Sequence, residues 1–170
     1  MVNTLVEQNP TENGFRLLQA DIQTEHAAEL LASGQKDAAQ ARVRAALDTL
    51  GPLLAKQPHD RSTVLANMAA QLLLAAMPID KDTSTTLLRG VVATAQAQTS
   101  GQGDPRLLSM EAQALLALGD DATAQPLVQQ LWSSGYRDAQ WLGTLRSEHV
   151  AYPINTDFQK KLLAQNSVDR

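Results

Sequence analysis

The chain has 170 residues, with 14 basic and 18 acidic side chains for a formal charge of -4, and no cysteine. That length suits one domain, the acidic balance removes the electrostatic footprint of a nucleic-acid binder, and the missing cysteines exclude disulfides, thiolate metal sites and cysteine nucleophiles. Alanine and leucine, 26 each, are strong helix formers and aromatics reach only 4%, so the composition predicts an all-α protein.

Residues 1–10 carry no sustained period and read as a flexible lead-in. From Thr11 a helical pattern runs through Leu17, Leu18, Ile22, Ala27, Leu30 and Leu31 to Gly34, a residue suited to the left-handed position past a helix end. A second block uses Ala39, Val43, Ala46, Leu47, Leu50 and Leu54 and stops near Gln57-Pro58. Asp60 caps a third, containing Val64, Leu65, Met68, Leu72 and Leu73 and closed by Pro78. The polar stretch 80–86 reads as a lengthened turn before Leu87, Leu88, Val91, Val92 and Ala95, and residues 99–103 read as a loop. Asp104-Pro105 is an N-cap followed by a first-turn proline, opening a helix through Leu107, Leu108, Ala112, Leu115 and Leu116 to Gly119. The next helix, 121–133, contains Pro126 and is expected to start late or to bend there. Beyond Gly135 a shorter helix spans about 138–146, residues 150–155 look extended around Pro153, and 156–165 form a last amphipathic helix through Phe158, Leu162 and Leu163. The count is about eight helices and no strand.

Three helix ends align: Ala27-Ala28-Glu29-Leu30-Leu31-Ala32-Ser33-Gly34, Ala70-Gln71-Leu72-Leu73-Leu74-Ala75-Ala76-Met77 and Ala112-Gln113-Ala114-Leu115-Leu116-Ala117-Leu118-Gly119, offset by 43 and 42 residues. Alanine lets two helix backbones approach, and the leucines fill the space one turn later. After Gly34 and Gly119, Ala39 and Ala124 occupy one shared position and Val43 and Val128 another. This arrangement resembles the tetratricopeptide repeat (TPR), with Ala112, Leu115, Gly119-Asp120, Ala124, Val128 and Leu131 in the family's roles, and Ala27, Leu30, Gly34, Ala39, Val43 and Ala46 matching them in the first unit. The middle unit is degenerate, with Met77-Pro78 where glycine stands elsewhere. The spacing is longer than the family's, and Gln23, Ala66 and Leu108 replace its large aromatic. The resemblance implies a right-handed stack of antiparallel helix pairs over 11–147, followed by an extended segment and capping helix over 148–170. The segment Leu131-Trp132-Ser133-Ser134-Gly135-Tyr136-Arg137-Asp138, with Ala151-Tyr152-Pro153 beyond it, is similar to the closing part of bacterial TPR proteins. In those proteins the repeats follow a Ser/Thr protein kinase or a DNA-binding regulator domain.

Catalytic and metal-binding chemistry finds little footing. His26, His59 and His149 are far apart and lack ligand spacing. Asp80, Asp82 and Thr83 lack the glycine and closing glutamate of a calcium loop. No serine sits in a G-x-S-x-G turn. Asp120-Asp121 follows Gly119 at a helix start, where carboxylates offset the helix dipole. Gly101-Gln102-Gly103 is followed by Asp104 and no lysine, which rejects a phosphate loop. Lys36, Arg42 and Arg44 read as a solvated face rather than a DNA-reading helix. The expectation is a non-enzyme with no cofactor and no metal.

No apolar run approaches the roughly 18–20 residues that span a bilayer, and no basic-then-apolar signal segment opens the chain. The absence of cysteine leaves cytoplasm and periplasm both open. The TPR register implies a concave groove bearing Asp21 and Thr24 with Ala28 from the first unit, Asn67 and Gln71 from the second, and Arg106, Ser109 and Gln113 from the third. Polar side chains of this kind suit a peptide or protein partner, and substituting Arg106 with Gln113 is expected to weaken binding without lowering the melting temperature. Trp132, Tyr136 and Trp141 cap the stack or anchor a partner. A monomer or weak dimer is expected, and the alternative is a closed helical bundle acting as a dimerisation or small-ligand sensor domain.

Overall fold

A computed structural model describes residues 12–98, 103–147 and 150. The lead-in, most of the 99–103 loop, and the tail with its eighth helix, His149 and Tyr152 lie outside the described residues. Among the described residues the protein is all-helical: α1 Asn13–Ala32, α2 Lys36–Lys56, α3 Arg61–Ala75, α4 Lys81–Gln98, α5 Pro105–Ala117, α6 Asp121–Ser133 and α7 Ala139–Ser147, with no strand.

Helix ends are set by side-chain chemistry. Asp60 accepts a hydrogen bond from the Thr63 N–H, Asp104 from Arg106 and Asp120 from Thr123, each satisfying an orphan amide of the first turn. Gly34, Gly119 and Gly135 close α1, α5 and α6 at φ of 80°, 77° and 78°. At each, the glycine N–H and the next N–H donate back to two carbonyls of the last turn, as with Gly119 to Leu116 and Asp120 to Leu115. Nothing lies within 4 Å of where a Cβ would stand at Gly119, so Gly119→Ala meets backbone strain alone. It is expected to cost about 1–2 kcal/mol, read by denaturant titration.

Two expectations about helix starts are corrected. The 80–86 stretch is no lengthened turn: α4 begins at Lys81, because the Asp80 carboxylate accepts from the Thr83 N–H at 2.8 Å and the Ser84 hydroxyl reaches back to the Ala75 carbonyl. Nor does Pro126 delay α6, which starts at Asp121. The amide that proline lacks would have served the carbonyl of Ala122, and both residues are exposed, so that carbonyl is open to solvent.

The core comes in three successive clusters. The first joins α1, α2 and α3 around Ala20, Ala27, Val43, Leu50 and Ala70. The second joins α3, α4 and α5 around Val64, Met68, Val91 and Leu107. The third joins α5, α6 and α7 around Ala112, Val128, Leu131 and Trp141. All three repeat alanines, Ala27, Ala70 and Ala112, have no exposed surface, as have Ala39 and Ala124 of the partner helices. Each helix from α1 to α5 packs on its successor, while α1 also packs on α3, α3 on α5 and α5 on α7. Among the described residues the backbones of α2 and α4, of α4 and α6, and of α1 and any helix beyond α3 do not approach closely, although Leu87 and Val92 of α4 and Leu54 of α2 lie at the margins of neighbouring clusters.

Candidate functional site

The odd-numbered helices α1, α3, α5 and α7 contact one another in series. A groove of about 360 Å3 opens among them. Its α3 floor comes from one helical side, Ser62, Leu65, Ala66, Ala69 and Leu72, spaced three or four residues apart. Arg106, Ser109, Met110 and Gln113 of α5 form the facing wall. Asp21 of α1 stands at one end, and Tyr136, Asp138 and Gln140 approach from the α6–α7 connection and α7. A second hollow of about 300 Å3 shares Leu72, Gln113 and Gln140 with the first and extends it past Thr144 and Ser147. The two hollows thus adjoin over α3 and α5, and Ser84 and Leu88 of α4 also line the second.

The groove's polar groups are mostly engaged. Asp104, at the α3–α5 edge, accepts from the Arg61 Nε at 2.9 Å and from the Arg106 Nη2 at 2.8 Å, while also capping α5. Burial pushes its carboxyl up, but hydrogen bonds from Arg106 and Arg61 outweigh that and hold it well below the usual carboxylate range. The same pairing raises the Arg106 guanidinium. The Ser109 hydroxyl donates to the Arg106 carbonyl, and the Gln113 Oε1 accepts from the Thr144 hydroxyl of α7 at 3.2 Å. Asp138 caps α7, accepting from the N–H groups of Gln140 and Trp141. At Asp21 the carboxyl is raised above its ordinary value, first by burial and then by the charge of Glu25.

Of the residues expected in a groove, the structure brings Asp21, Arg106, Ser109 and Gln113 together and adds Tyr136. Asn67 is buried instead. The Thr24 hydroxyl is turned back onto the Ala20 carbonyl. Gln71 has its Oε1 buried without a hydrogen-bond partner, close to Gly90 of α4. The α3 lining escaped sequence reading because four of its five residues are apolar and share a pattern with core positions. The expectation that Arg106 and Gln113 can be replaced at no cost to stability also needs correction, since one holds Asp104 and the other Thr144.

The aromatic residues divide. Trp141 is 1% exposed in the α5–α7 cluster, whereas Trp132 is half-buried with the Arg137 guanidinium 3.7 Å from its ring centroid. Lys36, Arg42, Arg44, His26 and His59 are exposed. Among the described residues no three His, Asp or Glu side chains cluster as metal ligands would, and no helix is long and apolar enough to cross a membrane. Comparison with family models, curated proteins and solved structures returns no match.

Proposed function

We propose that this chain is a non-enzymatic interaction module of TPR-like helix pairs in a right-handed stack, which holds a peptide or protein segment in the groove along its odd-numbered helices. The observation that carries this reading is the make-up of the first groove: its helical lining comes from α1, α3, α5 and α7 and none from α2, α4 or α6. Stacked hairpins expose alternate helices on one surface in this way. The succession of three local clusters, with no close backbone approach of α1 to any described helix beyond α3, supports an open stack over the closed bundle that a sensor domain would use. The likeness of the Leu131 to Asp138 segment to bacterial TPR proteins supports a place as the C-terminal module of a signalling protein.

The test is a displayed peptide library selected on the whole chain, followed by Ala69→Trp and Ser62→Trp. Ala69 is half-buried on the groove floor and Ser62 is exposed at its edge, so tryptophan at either fills the groove without entering the core. Selected peptides are expected to lose at least about tenfold in affinity, or 1.4 kcal/mol, while circular-dichroism melting stays unchanged. Peptides that bind both variants as tightly as the wild type would overturn the reading.

A further inference from the structure

The groove's charge is one-sided. Its floor is apolar, through Leu65, Ala66 and Met110. Its single guanidinium, Arg106, is held by Asp104 through both Nε and Nη2. The carboxylates of α1 have no such compensation. Asp21, Glu25 and Glu29 follow one another at four-residue spacing, so they run along one side of the helix, and all three are exposed. The ion pairs of the described residues both end on Asp104, and neither involves α1. Glu25 acts on Asp21 as a like charge, so a cation placed between them would be attracted to both.

Resting on the groove reading above, we infer that the segment it takes is cationic and amphipathic, laying apolar side chains on the α3–α5 floor and lysine or arginine against the carboxylates of α1. Two separate features of the groove select such a segment. The floor selects apolar side chains by burial, and the end at Asp21, with Glu25 one turn further along α1, selects positive charge through attraction to lysine or arginine and repulsion of an acidic competitor.

Two fluorescein-labelled helical peptides test this, identical in their leucines but carrying lysine or glutamate at every polar position. Fluorescence anisotropy with the whole chain is expected to show the lysine peptide binding at least about tenfold tighter at low salt, with the gap closing at high salt. The double variant D21N/E25Q is expected to erase most of that preference while melting no lower than the wild type, since it removes a repulsion between exposed groups. If the lysine peptide does not bind, or binds no tighter than the glutamate peptide, the inference fails. It fails too if D21N/E25Q leaves the preference intact. Should those failures coincide with library peptides that are still lost in Ala69→Trp, the groove stands and only its charge preference falls. Lysine-peptide binding that survives Ala69→Trp removes the groove itself.

Discussion

Replacing Trp141 by alanine is expected to cost about 3–5 kcal/mol, the range for emptying a fully buried tryptophan site. The residue is the larger of only two buried side chains in α7, the other being Leu145, and it lies in one cluster with Leu108, Ala112, Leu115 and Leu131. That helix has nine residues, too few to hold its shape without docking. Among the described residues α5 is the helix whose backbone it approaches closely, with Leu131 of α6 in the same cluster. The loss should therefore appear as local opening rather than a shared fall in stability. Hydrogen exchange is expected to accelerate across 139–147 while amides of α1 to α3 keep their protection. Trp141→Phe, which keeps most of the apolar volume, should fall between the two. Unchanged exchange in α7 would mean that its hold on α5 comes from the Gln113–Thr144 hydrogen bond instead.

Asp104→Ala is expected to cost about 2 kcal/mol, of which about 1 is the lost N-cap and the rest two ion pairs discounted for solvent screening. The discount is needed because the Arg61 and Arg106 side chains are 45% and 58% exposed, although Asp104 itself is 12% exposed. For a chain of this size the melting temperature should drop by about 4–8 °C. The pH dependence has a definite sign. The Asp104 carboxyl is depressed in the folded state, so its contribution is fully present above the ordinary carboxylate pKa of 3.8 and is lost as pH falls below it. Wild type and Asp104→Asn should thus differ by a constant amount from about pH 5 upward and converge in acid. A difference that persists undiminished in acid would assign the effect to packing rather than to the carboxylate.

Much of the helical layout was legible because its punctuation is local. Asp60, Asp104, Gly34 and Gly119 announce helix ends through chemistry that needs no tertiary partner. The first turns of α4 carried no such clarity, since Lys81 to Thr86 contains no apolar residue and only the Asp80 cap marks the start. The groove was half legible. Positions on α5 followed from the repeat, yet α3 turns its 62, 65, 66, 69 and 72 side to the groove and thereby buries Asn67. No feature of the sequence distinguishes a leucine under a groove from a leucine in the core. The Arg61–Asp104 pair was readable in principle, because the two residues stand 43 apart, one more than the 42-residue offset from α3 to α5, and so fall where those two helices begin.

The chain of three clusters has a mechanical consequence. The buried residues of each cluster come mainly from three consecutive helices, with α3 and α5 common to neighbouring clusters and Leu54, Leu87 and Val92 at their margins, so in the proposed stack load applied between the two ends would pass through local interfaces in series. In the proposed stack such an arrangement would behave as a spring: each junction would yield by a small rotation and the extensions would add. Recoil would be quick for the same reason, because the contacts to be remade lie between residues close in sequence.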